Sequence, residues 1–117
     1  NHYDRVLIAV GRKPNTTDIG LETTKIKTDE KGFIIVDKQF QTAEPSIFAI
    51  GDVIGGAMLA HKASAEGKAV VEVLAGENCS QKKHCVPAVV FTDPEIAWCG
   101  LTETEAKNSN RKIQTKT

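Results

Sequence analysis

The feature that most constrains this chain is a short apolar run, Ser46-Ile47-Phe48-Ala49-Ile50, that stops at Gly51-Asp52. Past Gly55-Gly56 comes a proline-free stretch from Met58 to Ala75. In it Leu59, Ala63, Val70 and Val73/Leu74 recur at helical spacing, which predicts a helix with one apolar face. Gly67 inside that helix costs about 1 kcal/mol relative to Ala, a cost that close packing on a sheet would explain. Gly76 is its natural stop. A buried strand, a Gly-Asp tip, a glycine-containing loop and a helix form an α/β arrangement. In open α/β sheets ligands sit beyond the carboxyl ends of the strands.

Composition narrows the partners. The 117 residues suit one modest core, and 40% hydrophobic with 26% charged residues excludes wholesale disorder. Fifteen basic residues balance fifteen acidic ones. That balance argues against a general electrostatic grip on nucleic acid or on an anionic membrane. No apolar run approaches the ~20 residues needed to span a bilayer. The chain opens Asn1-His2-Tyr3-Asp4-Arg5 and runs straight into Val6-Leu7-Ile8-Ala9-Val10; it ends on Lys112 to Thr117 with an alternation just beginning. It shows neither an initiator Met nor a secretory segment, and reads as an internal piece of a longer protein.

Apolar runs predict strands at Val6–Val10 (buried on both faces), Phe33–Val36, Ser46–Ile50, Val86–Phe91, Ile96–Cys99 and Arg111–Thr117. Pro87 demotes the first residues of the fourth to an edge or entry position. Between them, Gly11–Asn15 ends regular structure, and Thr16–Thr28 is loop-like with a helical turn around Leu21. Asp29–Gly32 is a turn, Gln39–Pro45 a connector, Glu77–His84 a linker and Thr92–Glu95 another turn. Thr102-x-x-Glu105 is a capping box that starts a helix continuing over Ala106–Asn108. Cys79, Cys85 and Cys99 lack a C-x-x-C pair and zinc-knuckle spacing, and His84 beside Cys85 does not repair that. They are expected to be reduced thiols of an intracellular protein with no metal; a Cys79–Cys85 bridge stays open.

The Gly51-Asp52 corner carries the chemistry. Gly51 lets backbone come close to a ligand. Asp52 is an acceptor-only carboxylate, suited to hydroxyl protons of a sugar or polyol, at roughly 1.5–3 kcal/mol per bond. Amides near Met58, Leu59 and Ala60 face the same direction with partial positive charge, and suit a group that becomes anionic, such as the N1/C2=O edge of a reduced flavin. From Gly-Asp alone, a capped turn and an ordinary flexible loop explain the pattern better; the surrounding residues reverse that.

The neighbouring residues add a resemblance. Thr42, four spacers, then Ile47-Phe48-Ala49-Ile50-Gly51-Asp52 resembles the second flavin-binding motif of the pyridine nucleotide–disulfide oxidoreductases. Gly11-Arg12-Lys13-Pro14-Asn15-Thr16 is similar to that family's G-R-x-P-N-T, and Gly20-Leu21-Glu22, Asp29 and Gly32-Phe33-Ile34-Ile35-Val36-Asp37 follow its pattern in order. Met58-Leu59-Ala60-His61-Lys62-Ala63 with Glu66-Gly67 resembles the dihydrolipoamide dehydrogenase branch rather than the glutathione or mercuric reductase branches. Pro87 to Gly100, with Trp98, is similar to the start of the interface domain.

The resemblance implies an α/β fragment of a flavoprotein with two dinucleotide-binding domains. Residues 1–14 would end the NAD domain, 15–85 would form the C-terminal part of the FAD domain, and 86–117 would open the α+β interface domain. Asp52, next to Gly51, would bond the ribitol of FAD. The backbone at Met58, Leu59, Ala60 and His61 would lie against the isoalloxazine, and Gly11 near the nicotinamide nucleotide. Arg12 and Lys13 are expected to be solvated loop charges, His61 a packing or hydrogen-bonding side chain, and Trp98 a core or interface residue. Lys62 and Glu66, four apart, are expected to pair across a surface. None of these is expected to be catalytic.

The parent enzyme implied is a homodimer that oxidises dihydrolipoyl groups with NAD, through FAD and a redox-active disulfide. It would serve lipoyl-bearing 2-oxo acid dehydrogenase or glycine cleavage components, in the bacterial cytoplasm or the mitochondrial matrix. These 117 residues contain no G-x-G-x-x-G and no C-x-x-x-x-C, and the family's downstream catalytic His-x-x-x-x-Glu is missing too, so the segment alone is expected to be inactive. A related disulfide reductase or transhydrogenase, and a stable non-catalytic assembly module, are the alternatives. Exposed apolar edges at Val6–Val10 and Val86–Phe91 predict aggregation of the isolated piece.

Overall fold

The computed structural model describes residues 2–77 and 86–114. It divides into two compact units, Asn1–Ser80 and Gln81–Thr117. The linker over Glu77–His84 and the Cys79 and Cys85 thiols lie almost wholly outside the described residues; Cys99 is exposed.

The first unit is organised by two loops of the same design. In the first, the Asp29 carboxylate accepts from the amides of Lys31 (2.8 Å) and Phe33 (2.9 Å). The Asp29 carbonyl takes the Gly32 amide, and the Asp29 amide donates to the Phe33 carbonyl. In the second, Asp37 repeats this with the amides of Gln39 (2.8 Å) and Gln41 (2.9 Å), the Phe40 amide and the Gln41 carbonyl. Aspartate favours such loops because its side chain mimics a backbone acceptor two residues on. The fourth position of each is left-handed: Gly32 at φ 87° and Phe40 at φ 64°. Glycine takes that conformation at no steric cost. Phe40 takes it while being 6% exposed, and with Ile34 and Ala49 it makes the small core of this unit. Thr42, also buried, closes the next turn: its hydroxyl donates to the Glu44 and Ile47 carbonyls at 3.0 and 2.9 Å and accepts from the Glu44 amide.

The expected strands at Phe33–Val36 and Ser46–Ile50 are not formed. Each run makes a single antiparallel bridge, Thr28 with Ile34 and Gln41 with Phe48. Strand needs a ladder of successive pairs, and these runs instead hand their backbone to the Asp loops and to the Val53 carbonyl, which accepts from the Ile34 amide at 2.9 Å. Val6–Val10 is not a strand either. Val6, Leu7, Ile8 and Val10 are 79–93% exposed, because no described segment lies alongside to pair with them.

The predicted helix is present as α1, Ala60–Leu74. Leu59, Ala63, Val70 and Val73 are half-buried, whereas Leu74 is exposed and leaves the expected face. A Cβ at Gly67 would stand 3.4 Å from Ile50 Cδ1, so the helix packs closely there, against the run before Gly51 rather than against a sheet. Its end is a Schellman motif: the Gly76 amide donates to Val73 and the Glu77 amide to Glu72. A turn of 3-10 helix covers Leu21–Thr23, where the helical turn was expected.

The second unit holds an antiparallel hairpin, β1 (Ala88–Val90) with β2 (Ile96–Trp98). The register pairs Ala88 with Trp98, Val89 with Ala97 and Val90 with Ile96. Helix α2, Glu103–Asn108, follows with its capping box complete. Residues 111–114 do not start the expected strand, and 115–117 lie outside the described residues. The reason is local. Asn110 is left-handed and donates to Lys107, and the Arg111 amide donates to Ala106, so these amides close α2. Val90 is 42% and Phe91 83% exposed, and Trp98 is half-exposed.

Candidate functional site

The site is built around a 3-10 turn, Gly51–Ile54, that joins the Ile47–Ile50 run to the loop before α1. Gly51 is buried at φ 76°. A Cβ there would lie 3.1 Å from the Ala63 Cβ, so a side chain would be both strained and in the way of the helix. The tip is therefore pressed against the second turn of α1, and only glycine fits.

Two helix side chains hold it. Glu66 Oε2 accepts from the Gly51 amide at 2.7 Å. Lys62 Nζ donates to the carbonyls of Gly51 (3.4 Å) and Gly55 (3.1 Å). Lys62 and Glu66 also pair with each other at 2.8 Å, with side chains only 14% and 12% exposed. The pair expected at a surface is thus largely buried and spends its hydrogen bonds on the turn. The i,i+4 spacing showed that the two could meet; nothing in the sequence showed that they meet around Gly51.

Asp52 follows directly and stays open, its side chain 53% exposed. Arg12 Nη1 reaches Asp52 Oδ2 at 3.4 Å. Arg12 is thus not merely a solvated loop charge, although at 69% exposure the pair contributes about 1 kcal/mol or less. Asp52 and Met58 line a cleft of about 370 Å³ together with residues 12–15 and Val53. Gly11, at φ 107°, precedes this lining as exposed backbone.

The start of α1 carries no side-chain cap; Leu59 stands at the N-cap position. Ala60 and the exposed His61 are the first two helical residues. The Leu59 amide is not open as expected, since it donates to the Ala57 carbonyl at 3.0 Å. The first helical amides keep the partial positive charge of a helix N-terminus. A carboxylate that accepts hydroxyl protons, a backbone tip pared to glycine and an uncapped helix start fit a polyol linked to a ring with an anionic edge. Among the described residues no group of three side chains could hold a metal ion, and no helix is long and apolar enough to cross a membrane.

The chain is similar to known proteins over most of its length. The chain is 49% identical over 108 residues to the dihydrolipoyl dehydrogenase of Buchnera aphidicola subsp. Baizongia pistaciae, covering 92% of this chain and 23% of that protein. It is 49% identical over 110 residues to the dihydrolipoyl dehydrogenase of Bacillus subtilis, covering 94% and 23%. The chain therefore spans about a quarter of the length of the curated relatives it matches. Among solved structures, the Cu(II) complex of the HOCl-induced flavoprotein disulfide reductase RclA from Escherichia coli superposes with a TM-score of 0.78 at 33% identity, over 91% of this chain and 25% of that one. LpdA from Mycobacterium tuberculosis gives 0.70 at 32% identity, over 83% and 21%. Residues 86–117 match the dimerisation domain of the pyridine nucleotide-disulphide oxidoreductases. Residues 1–67 match the main model of the same family, and with more than half of its length so accounted for, the chain belongs to the pyridine nucleotide-disulphide oxidoreductases.

Proposed function

We propose that this chain forms one wall of the FAD site in a dihydrolipoyl dehydrogenase, which oxidises dihydrolipoyl groups with NAD through FAD and a redox-active disulfide. The observation that carries the reading is Asp52: an open carboxylate on a cleft, one residue past a glycine locked against a helix. Its oxygens would accept from ribitol hydroxyls of FAD. The backbone over Met58, Leu59, Ala60 and His61 would lie along the isoalloxazine and favour negative charge at its edge. Gly11 would stand near the nicotinamide nucleotide. Bound there, the flavin supplies the two-electron relay between dithiol and nicotinamide. The residues of this chain bind and orient; none moves a proton in the reaction.

In this reading residues 1–14 close the NAD domain, 15–85 complete the FAD domain and 86–117 open the domain through which two copies associate. The partners are lipoyl-bearing components of 2-oxo acid dehydrogenase or glycine cleavage systems, and the compartment is the bacterial cytoplasm or the mitochondrial matrix. A disulfide reductase with another substrate is the second reading, favoured by the likeness to the E. coli flavoprotein disulfide reductase. Asp52→Ala in the full-length protein separates flavin binding from substrate choice. Loss of one charged hydrogen bond predicts roughly 10- to 150-fold weaker FAD retention. Unchanged flavin content after extensive dialysis refutes the role of Asp52. Dihydrolipoamide-dependent NAD reduction by the wild type, tested beside other disulfide substrates, decides between the two enzymes.

A further inference from the structure

Lys62 breaks a local rule. It is the third residue of α1, where the helix dipole disfavours a cation, and the first turn of α1 contains no acidic residue. It is also largely withdrawn from water, together with Glu66. Burying an ion pair contributes little to stability by itself, because the loss of hydration offsets the attraction. What the pair gains here is contact with the turn: the Gly51 amide on Glu66, and the Gly51 and Gly55 carbonyls on Lys62. Those three backbone groups bracket Asp52. The turn and the start of α1 are thereby fixed to one another by side chains that do not reach the cleft lining.

We infer that Lys62 and Glu66 are positioning residues that set the direction of the Asp52 carboxylate relative to the start of α1, and so govern how tightly the flavin's polyol is held. The inference rests on the flavin reading of Asp52. Lys62 donates to both ends of the Gly51–Gly55 segment, and Glu66 holds its first amide. Removing the Lys62 ammonium leaves the Glu66 charge without its cationic partner and releases both carbonyls. The turn can then rotate, carrying Asp52 with it.

The test is a double-substitution cycle in the full-length flavoprotein, reading the FAD dissociation constant of refilled apoprotein by flavin fluorescence. Lys62→Met and Asp52→Asn are each expected to weaken FAD by about tenfold or more, which is at least one decade in the constant. If Lys62 acts through Asp52, the two effects are strongly non-additive: Lys62→Met costs less than about twofold once Asp52 is Asn. A structural contribution independent of Asp52 multiplies instead, and a full product of the two effects overturns the inference. So does a Lys62→Met protein that binds FAD like the wild type while Asp52→Asn does not. If Asp52→Asn has no effect, the flavin reading itself fails, and this inference with it. Glu66→Gln serves if Lys62→Met does not fold: it keeps an oxygen for the Gly51 amide while removing the charge. A smaller loss of FAD affinity, again absent in the Asp52→Asn background, supports the clamp; an unchanged or additive effect overturns it.

Discussion

Helices α1 and α2 end alike and begin differently. Both close with a Schellman motif, through a left-handed Gly76 in one and a left-handed Asn110 in the other. At the other end, α2 opens on a full capping box: Thr102 accepts the Glu105 amide at 3.2 Å, and Glu105 accepts the Thr102 amide at 2.8 Å. Helix α1, more than twice as long, opens on Leu59 with no side-chain cap. The open groups at a helix end are satisfied by side-chain caps, by water, by tighter 3-10 bonds or by ligands. The longer helix can do without a side-chain cap because packing against the Gly51 turn holds it. In the proposed flavin reading, the difference between the two starts separates a structural helix from one placed for a ligand.

Four measurements break or sharpen this contrast. The largest effect is expected from Gly51→Val, which places a branched side chain in a left-handed position against Ala63 and separates the turn from α1. The loss should be about 3 kcal/mol or more in unfolding experiments, with the flavin lost as well. A tolerated valine would show that the tip and the helix are not held together.

Leu59→Asp then gives α1 the cap it lacks. Gain of the cap, about 1 kcal/mol, and loss of the half-buried leucine nearly offset each other in thermal unfolding. FAD retention should nevertheless fall about tenfold, since the new carboxylate competes for the amides and repels an anionic ring edge. Stability and flavin affinity moving together would remove the basis for the contrast. Thr102→Ala, by comparison, should cost about 1 kcal/mol, seen as faster amide exchange in α2, with flavin content unchanged.

The smallest effect is one of pH. Backbone and hydroxyl hydrogen bonds from Thr102 hold the Glu105 carboxyl below its ordinary value of 4.5. A depressed carboxylate contributes stability that is present above the unfolded value and lost as pH falls through the folded one. Fraying at the start of α2 should therefore set in below pH 4.5, while no carboxylate caps the start of α1 to respond in the same way. Amide exchange followed from pH 6 to pH 3 would show it.

What the sequence reveals of this molecule follows the range of the interactions involved. Helix α1 and the Thr102-Glu105 box depend on neighbours within a few residues, and both were legible, as were the two short strands and the turn that make up the hairpin β1–β2, though not their pairing. The apolar runs at Val6–Val10, Phe33–Val36 and Ser46–Ile50 misled, because an apolar run becomes a strand only when another lies beside it. The Asp29 loop announced itself through Gly32. Its twin at Asp37 was hidden, since Phe40 is a poor signal for a left-handed residue and only its burial accounts for it. At the site, Asp52, Gly51 and the start of α1 could be picked from the pattern of residue types. The grip of Lys62 and Glu66 on the turn could not, because it joins side chains to backbone groups eleven and fifteen positions away.

The paired aspartate loops have a consequence for the order in which the first unit assembles. Every bond that closes them spans four residues or fewer, from Asp29 to Phe33 and from Asp37 to Gln41. Short closures cost little chain entropy and form quickly. The two loops need nothing from the distant helix to close and are expected to set ahead of it, with Phe40 already turned inward by the second of them, on the side where Ile34 and Ala49 are buried in the finished unit.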